Sequence, residues 1–243
     1  LCRSAFRRDK PPMCGIAGII DLKGRKPIDE PLLQAMNDRL RHRGPDGSGV
    51  HVEAGIGLAH RRLSIVDLAA GHQPMYNEDD SVCIVFNGEI YNFRPLVQEL
   101  TALGHRFRTR CDTEVIIHAW EQWGTDCLAR FNGMFAFALW DRNRQQVFLA
   151  RDRLGVKPLF HATLADGTFL FASELKSLLL HPGLPRQLLP RAIEDYLTFG
   201  YVPEPDTVYS GIHKLEPGHL LLIDGTGRQA IRRYWDLDSS RFG

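Results

Sequence analysis

The stretch Met13-Cys14-Gly15-Ile16-Ala17-Gly18 opens an apolar run that continues to Asp21. A short run of this kind, rich in isoleucine, predicts a buried β-strand. If translation begins at Met13 and this methionine is trimmed, Cys14 becomes the first residue and carries both a thiol and an α-amine. An α-amine has an ordinary pKa of about 7.7–8.0, which suits a general base at neutral pH. The alternative is that Cys14 is only a small buried residue of the strand.

The composition is that of an ordinary globular protein. The 243 residues are 44% apolar and 24% charged, with a net charge of +1, which excludes collagen-like, coiled-coil and disordered chains. Such a small charge gives no reason to expect a nucleic acid or a membrane as partner. The five cysteines form no disulfide scaffold, and no apolar stretch has the length of a membrane span. We therefore expect a cytoplasmic protein.

The first twelve residues differ from the rest in charge. Four basic residues and one acidic residue give them +3, so the remaining 231 residues carry −2. Leu1 is not an ordinary translation start, and Met13 is the first methionine. We expect residues 1–12 to be a non-native or mis-annotated extension.

Elements predicted along the chain favour an α+β fold with antiparallel sheets. Helices are predicted to begin at Asp29, at Asn92, and at Asp112 or Thr113, where short polar side chains can cap them. A strand over 82–86 is predicted to end at Asn87-Gly88, a pair typical of turns. The residues over 134–140 and 147–150 predict a hairpin. The sequence has no phosphate-loop or zinc motif, and its ten histidines are dispersed.

Several further segments occur in one order along the chain. They are Arg41-His42-Arg43-Gly44-Pro45-Asp46, Arg62-Leu63-Ser64-Ile65-Val66-Asp67, Asn87-Gly88-Glu89-Ile90-Tyr91-Asn92, Asp112-Thr113-Glu114, Gly133-Met134-Phe135-Ala136-Phe137-Ala138, Arg151-Asp152 with Lys157-Pro158-Leu159, and Ser173-Glu174-Leu175-Lys176. With Cys14 to Gly18, they resemble the glutaminase domain of class II glutamine amidotransferases, in particular that of glutamine-hydrolysing asparagine synthetases. The resemblance implies an N-terminal nucleophile hydrolase fold, a four-layer αββα sandwich with two antiparallel sheets. It also implies an amidotransferase domain over 13–231, with 232–243 as the start of a linker to a missing ATP-dependent synthetase domain.

The resemblance assigns roles to individual residues. It implies that Cys14 is the nucleophile and that Asn87 and Gly88 form the oxyanion hole. The residues implied to bind glutamine are Arg62, Leu63, Ser64, Ile65, Val66, Asn87, Gly88, Glu89 and Asp112, and no metal is expected at this site. Without the resemblance, Asn87-Gly88 is a turn, Arg62 a surface arginine, Glu89 a solvated loop residue and Asp112 a helix cap.

The implied activity is the hydrolysis of L-glutamine to glutamate and ammonia through a glutamyl thioester. No cofactor is expected for this step, whereas ATP and magnesium are expected only in the missing synthetase domain, with aspartate or another carboxylate as ammonia acceptor. The resemblance also allows a homodimer. Three alternatives stay open: an asparagine-synthetase-like enzyme with another acceptor, a glutaminase domain that serves a sugar phosphate or phosphoribosyl pyrophosphate, and a non-catalytic homologue if Cys14 is never freed.

Overall fold

Twelve strands among residues 13–63 and 71–237, which are the residues that the computed structural model describes, pair into two antiparallel sheets of six strands. They are β1 (Gly15–Ile20), β2 (Gly47–Glu53), β3 (Ile56–Arg62), β4 (Met75–Tyr76), β5 (Val82–Ile90), β6 (Gly133–Asp141), β7 (Gln146–Arg151), β8 (Phe160–Thr163), β9 (Phe169–Ala172), β10 (Ile212–Lys214), β11 (His219–Ile223) and β12 (Gln229–Arg233). The first sheet has the order β10-β8-β9-β1-β3-β2, and the second has the order β12-β11-β7-β6-β5-β4.

Helices cover the outer faces of both sheets. They are α1 (Glu30–Asp38), α2 (Phe93–Ala102), α3 (Asp112–Trp123), α4 (Cys127–Arg130), α5 (Leu175–Leu178) and α6 (Pro190–Phe199). The predicted start of α1 is confirmed, since the Asp29 side chain accepts a hydrogen bond from the Leu32 N–H at 2.9 Å. None of the helices in the described part of the chain combines the length and the apolar character that a membrane crossing needs.

The side-chain alternation of the strands explains the layers. In β1, Ile16 and Ile20 point into the apolar core between the sheets, whereas Ala17 and Ile19 pack with α1 residues on the other face. In β6, alternate residues likewise divide between the central core and the core under α2 and α3. A strand buried on both faces is apolar throughout, as the sequence of β1 is. The α+β fold with four αββα layers is therefore confirmed.

Some predictions about local structure are wrong. Asn87-Gly88 is not a turn, because β5 continues to Ile90 and pairs with β6 over its whole length. A β-carbon on Gly88 would lie 2.2 Å from the Met134 carbonyl oxygen, so glycine is required here by the closeness of β6. The Asp112 side chain does not cap α3 either, because Cys111 holds the N-cap position and makes no side-chain cap bond.

Three elements near the C-terminal end of the described chain are not predicted from the sequence. They are the helix α6 and the short strands β10 and β12. β12 ends at Arg233, two residues beyond the predicted domain end at 231.

Candidate active site

A cleft opens beside β5, where the starts of β1 and α3 and the end of β3 meet. Its volume is about 630 Å³, including space open to solvent. The described residues that line it include Met13, Cys14, Arg62, Leu63, Gly71, Gln73, Phe86, Asn87, Gly88, Glu89, Cys111, Asp112, Thr113, Met134 and Lys157. The fold thus brings seven of the predicted site residues to one cleft, while Ser64, Ile65 and Val66 lie outside the described residues.

Cys14 lies just before β1 and is partly buried. Its Sγ accepts a hydrogen bond from the Leu63 N–H at 3.3 Å and lies 3.6 Å from the Leu63 carbonyl oxygen. Burial raises the pKa of the Cys14 thiol, and the Leu63 N–H and the nearby cation of Lys157 offset part of this effect. The thiol is therefore held in place by the residue that follows β3.

A charged cluster anchors the backbone of Cys14. Arg43 donates from Nε to the Cys14 carbonyl oxygen at 3.0 Å and from Nη1 to Glu174 Oε1 at 3.0 Å. The same Glu174 carboxylate contacts His42 at 2.9 Å and Lys176 at 3.1 Å. Hydrogen bonds from these three side chains outweigh burial and hold the pKa of Glu174 below its usual range. The segments 41–46 and 173–176 thus act together behind the nucleophile.

Asn87 presents an unpaired donor. Its side chain is buried, and its Nδ2 has no hydrogen-bond partner among the residues that the structure describes. Buried amide groups in folded proteins are almost always paired, so an exception that lies in a cleft indicates a ligand site. The amide is well suited to donate a hydrogen bond to an oxygen atom on which negative charge develops.

The backbone of Gly88 adds a second donor at the same edge. On the edge of β5 away from β6, the Phe86 N–H donates to Gln73 Oε1 at 2.6 Å and the Ile90 N–H donates to Asp112 Oδ2 at 2.9 Å. Because backbone N–H groups alternate along a strand, the Gly88 N–H between them points to this edge too. The edge of β5 therefore directs a backbone donor into the cleft beside Asn87.

Two acidic residues, Glu89 and Asp112, also line the cleft. Asp112 is the first residue of α3, and burial raises the pKa of its carboxyl group, although the Ile90 N–H offsets part of this. Glu89 is half-buried within β5, not in a solvated loop. The pair supplies carboxylate oxygens near one end of the cleft.

Two neighbouring arginines at the end of β3 point in opposite directions. Arg61 donates to the Asn37 carbonyl oxygen at 3.2 Å and pairs with Asp38 at α1. Arg62 lines the cleft and is only 6% exposed. Strand alternation accounts for this difference, and the interpretation of Arg62 as a surface arginine is wrong.

Sequence reasoning gave no role to two polar residues of the cleft. Lys157 lies 3.1 Å from Met13 Sδ, and Gln73 joins β5 to α3 through Phe86 and Thr113. The loop before Lys157 is ordered by Asp152, whose carboxylate accepts from the Lys157 N–H at 2.9 Å. The sequence signal for this loop is the segment Arg151-Asp152 with Lys157, in which Asp152 precedes Lys157 by five residues.

Comparisons with known proteins agree with this geometry. A family model described as a glutamine amidotransferase domain matches residues 13–235. Glutamine-hydrolyzing asparagine synthetase 3 of Bacillus subtilis (strain 168) is 40% identical over 232 residues, which cover 94% of this chain and 38% of that protein. Glutamine-hydrolyzing asparagine synthetase 2 of the same strain is 41% identical over 233 residues, which cover 93% of this chain and 31% of that protein. The chain thus spans less than half the length of these relatives.

A solved structure supports the fold alone. The glutamine phosphoribosylpyrophosphate amidotransferase of B. subtilis, in complex with ADP and GMP, superposes with a TM-score of 0.65 at 19% identity, covering 91% of this chain and 49% of its own. The expected N-terminal nucleophile hydrolase fold is thereby confirmed. Because the family match spans residues 13–235 and a relative that is 40% identical covers 94% of the chain, the chain belongs to the class II glutamine amidotransferase domains.

Proposed function

We propose that this domain hydrolyses L-glutamine to glutamate and ammonia, with Cys14 as the nucleophile and a glutamyl thioester as the intermediate. The observation that carries the proposal is the buried, unpaired Asn87 Nδ2 in the cleft that Cys14 lines. A polar group left unpaired in a binding cleft is the feature expected where a substrate oxygen completes the hydrogen bonding.

The base for the reaction is the α-amine of Cys14 itself. The cleft lining contains no histidine among the described residues, and the amine of a first residue needs no second side chain to position it. The amine takes the thiol proton, Sγ forms a bond to the side-chain carbonyl carbon of glutamine, and the carbonyl electrons move to its oxygen. When the tetrahedral intermediate collapses, the C–N bond breaks, and the same proton leaves with the nitrogen as ammonia.

The second half of the reaction reverses these roles. A water molecule gives a proton to the α-amine and its oxygen bonds to the thioester carbon. The C–S bond then breaks, glutamate leaves, and the proton returns to Sγ. In both halves the tetrahedral oxygen receives hydrogen bonds from Asn87 Nδ2 and the Gly88 N–H, each of which typically lowers the barrier by about 2.7–4 kcal/mol.

This mechanism requires Cys14 to be the first residue of the working enzyme. With Met13 attached, the Cys14 nitrogen is part of an amide, which is not a base. Met13 itself lines the cleft, so its removal would also widen the cleft at the nucleophile. We propose that Met13 is removed and that residues 1–12 are absent from the active enzyme.

The charged ends of glutamine fit the charges of the cleft. A planar guanidinium is the side chain best suited to hold a carboxylate through two hydrogen bonds, so Arg62 is proposed to bind the α-carboxylate. Glu89 and Asp112 are proposed to bind the α-ammonium group. Leu63, Ser64, Ile65 and Val66 complete the proposed pocket.

Ammonia from this domain would serve a second catalytic unit. Because the relatives named asparagine synthetases are more than twice as long as this chain, we propose an ATP- and magnesium-dependent synthetase domain that transfers ammonia to aspartate or another carboxylate. Because β12 continues to Arg233 and the family match to residue 235, the proposed glutaminase unit spans 13–235 and the proposed linker follows it. The cysteines Cys14, Cys83, Cys111 and Cys127 are free thiols, which fits the reducing cytoplasm.

The proposal is tested by ammonia release from glutamine. Residues 13–243 are expressed, Cys14 is verified as the first residue by mass spectrometry, and the Cys14→Ala variant is compared with Cys111→Ser. Both substitutions remove a thiol from the same cleft, but only the first removes the proposed nucleophile. We expect no ammonia above background from Cys14→Ala and substantial activity from Cys111→Ser. Activity that survives in Cys14→Ala would exclude the proposed mechanism.

A further inference from the structure

Three side chains of types that can bind a metal converge outside the cleft lining. His118 and Glu121 lie one turn apart on α3, and His105 lies in the segment 103–111 that joins α2 to α3. The His105 and His118 Nδ1 atoms are 3.2 Å apart. Glu121 Oε2 lies 3.0 Å from His118 Nδ1 and 3.6 Å from His105 Nδ1. The three side chains therefore direct their ligand atoms at one point.

The outer nitrogens of both rings face oxygen acceptors. His105 Nε2 lies 3.1 Å from Gln122 Oε1, and His118 Nε2 faces Glu114 Oε1 at 3.7 Å. Amide and carboxylate oxygens only accept hydrogen bonds, so these neighbours favour the tautomer in which the outer nitrogen carries the hydrogen and Nδ1 carries a lone pair. Metal-binding histidines are commonly oriented by such outer partners.

In that tautomer, the two Nδ1 lone pairs and the Glu121 oxygen lie close enough to share a cation, which is either a proton or a metal ion. In a tetrahedral zinc site, bonds of about 2.0–2.2 Å separate the ligand atoms by about 3.3–3.6 Å. The distance of 3.6 Å falls in this range, and those of 3.2 and 3.0 Å are slightly shorter. Calcium and magnesium prefer oxygen ligands alone, so two imidazoles favour a transition metal.

We propose that His105, His118 and Glu121 bind one divalent transition-metal ion, with zinc as the best fit. Two histidines and one carboxylate form a known zinc ligand set that leaves a fourth position for water. The His118 side chain is 2% exposed, whereas Glu121 is 25% exposed, so the site is buried on its inner side and reachable from solvent. Asn77 Nδ2 holds the second oxygen of Glu121 at 2.8 Å.

The ion would fasten the wall of the cleft without entering the chemistry. It would tie the segment 103–111 to α3 through His105. The same segment is held by Glu114, which accepts from the Arg108 and Thr109 N–H groups at 2.7 Å each. Cys111 is the last residue of this segment, Asp112 follows it, and both line the cleft. Metal binding is therefore expected to order this side of the cleft.

The test uses the untagged full chain, so that no added histidines bind metal. After treatment with a chelator, Zn²⁺ is titrated calorimetrically and Co²⁺ by visible absorption. We expect one equivalent to bind, an absorption band typical of a low-coordinate Co²⁺ site, and a melting temperature that rises with zinc. His105→Asn, at a partly exposed position, is expected to weaken zinc binding at least tenfold and to abolish the band, since it removes one of three ligands.

Two further variants make the test specific. Gln122→Leu removes only the outer partner of His105 and is expected to weaken zinc binding about 10–100-fold, while His181→Asn, a partly exposed histidine elsewhere, is expected to bind like wild type. Equal affinity in His105→Asn and wild type would overturn the proposal, because zinc would then sit on thiols or other groups. No binding to wild type at millimolar zinc would also overturn it and would mean that a shared proton joins these side chains. These readouts do not depend on glutamine hydrolysis.

Discussion

Arg43 donates a hydrogen bond from Nε to the carbonyl oxygen of Cys14 at 3.0 Å. The bond fixes the backbone that carries the proposed nucleophile, and Glu174 in turn fixes the guanidinium from the other side. The side chain of Arg43 is 9% exposed, so solvent weakens this arrangement little. Arg43 is thus a positioning residue for Cys14.

Replacing Arg43 with methionine is expected to lower the kcat for glutamine hydrolysis about 100-fold, since a misplacement of about 1 Å can have an effect of this size. His42→Gln is the matched control, because His42 contacts the same Glu174 carboxylate from a half-exposed position. Steady-state ammonia release measures both variants. If Arg43→Met keeps kcat within twofold of wild type, the hydrogen bond has no role in positioning.

Asn87→Ala is expected to lower kcat by about 10²–10³-fold with a much smaller change in KM, because the amide acts mainly on the oxygen charge of the transition state. Asn92→Ala is the control, since its side chain bonds to Arg130 and Asn132 outside the cleft. A change in KM alone would show that Asn87 binds the substrate but does not stabilise the oxyanion.

Lys157 is expected to affect the reactivity of the thiol. Burial raises the pKa of Cys14, and the charge of Lys157 lowers it in part. Lys157→Met should therefore raise the pKa further, so that alkylation of Cys14 by iodoacetamide begins at higher pH and is slower near neutrality. Peptide mass spectrometry follows the labelling, with Lys214→Met, a lysine bound to the Val202 carbonyl oxygen, as control. An unchanged pH profile in Lys157→Met would contradict this electrostatic role.

The buried His60 makes stability depend on pH. Burial lowers the pKa of His60 to about 3, and its Nε2 lies 3.1 Å from the Phe86 carbonyl oxygen. Its pKa is about 6.5 when the chain is unfolded, so below that pH the unfolded state binds more protons and stability falls as pH falls toward 3. The contribution between about pH 6.5 and pH 5 is about 2 kcal/mol.

Urea denaturation at these two pH values tests the effect. His60→Gln, whose amide can still donate to Phe86, should reduce the pH-dependent loss in the free energy of unfolding by about 2 kcal/mol. His72→Gln, at an exposed position, should leave it unchanged. The same loss in His60→Gln and wild type would mean that other groups cause the acid sensitivity.

Much of the fold could be predicted because β1 and β6 are apolar runs typical of strands that are covered on both faces. The 134–150 hairpin follows from local apolar runs. The prediction of a turn at Asn87-Gly88 is wrong because a turn preference is local, whereas the pairing of β5 with β6 and the close approach of Met134 come from tertiary structure. The prediction of Asp112 as a helix cap is wrong for the same reason, since its carboxylate accepts from the Ile90 N–H of β5.

The arrangement around the cleft could be predicted only in part. The resemblance named Cys14, Arg62, Asn87, Gly88 and Asp112, and the fold brings them together. The contacts of Arg43 with Cys14 and Glu174 join residues far apart in the chain, which no local pattern reveals. The cluster of His105 with His118 was missed because 13 residues separate them and no short motif links them.

The central claim is that Cys14 works through its own free α-amine, and one comparison tests it directly. Ammonia release from glutamine is measured for a preparation that begins at Cys14 and for one with all 243 residues and Leu1 intact, each verified by intact mass. We expect turnover from the first, and no ammonia above the level of its Cys14→Ala variant from the second. Equal turnover by the two preparations would contradict the account.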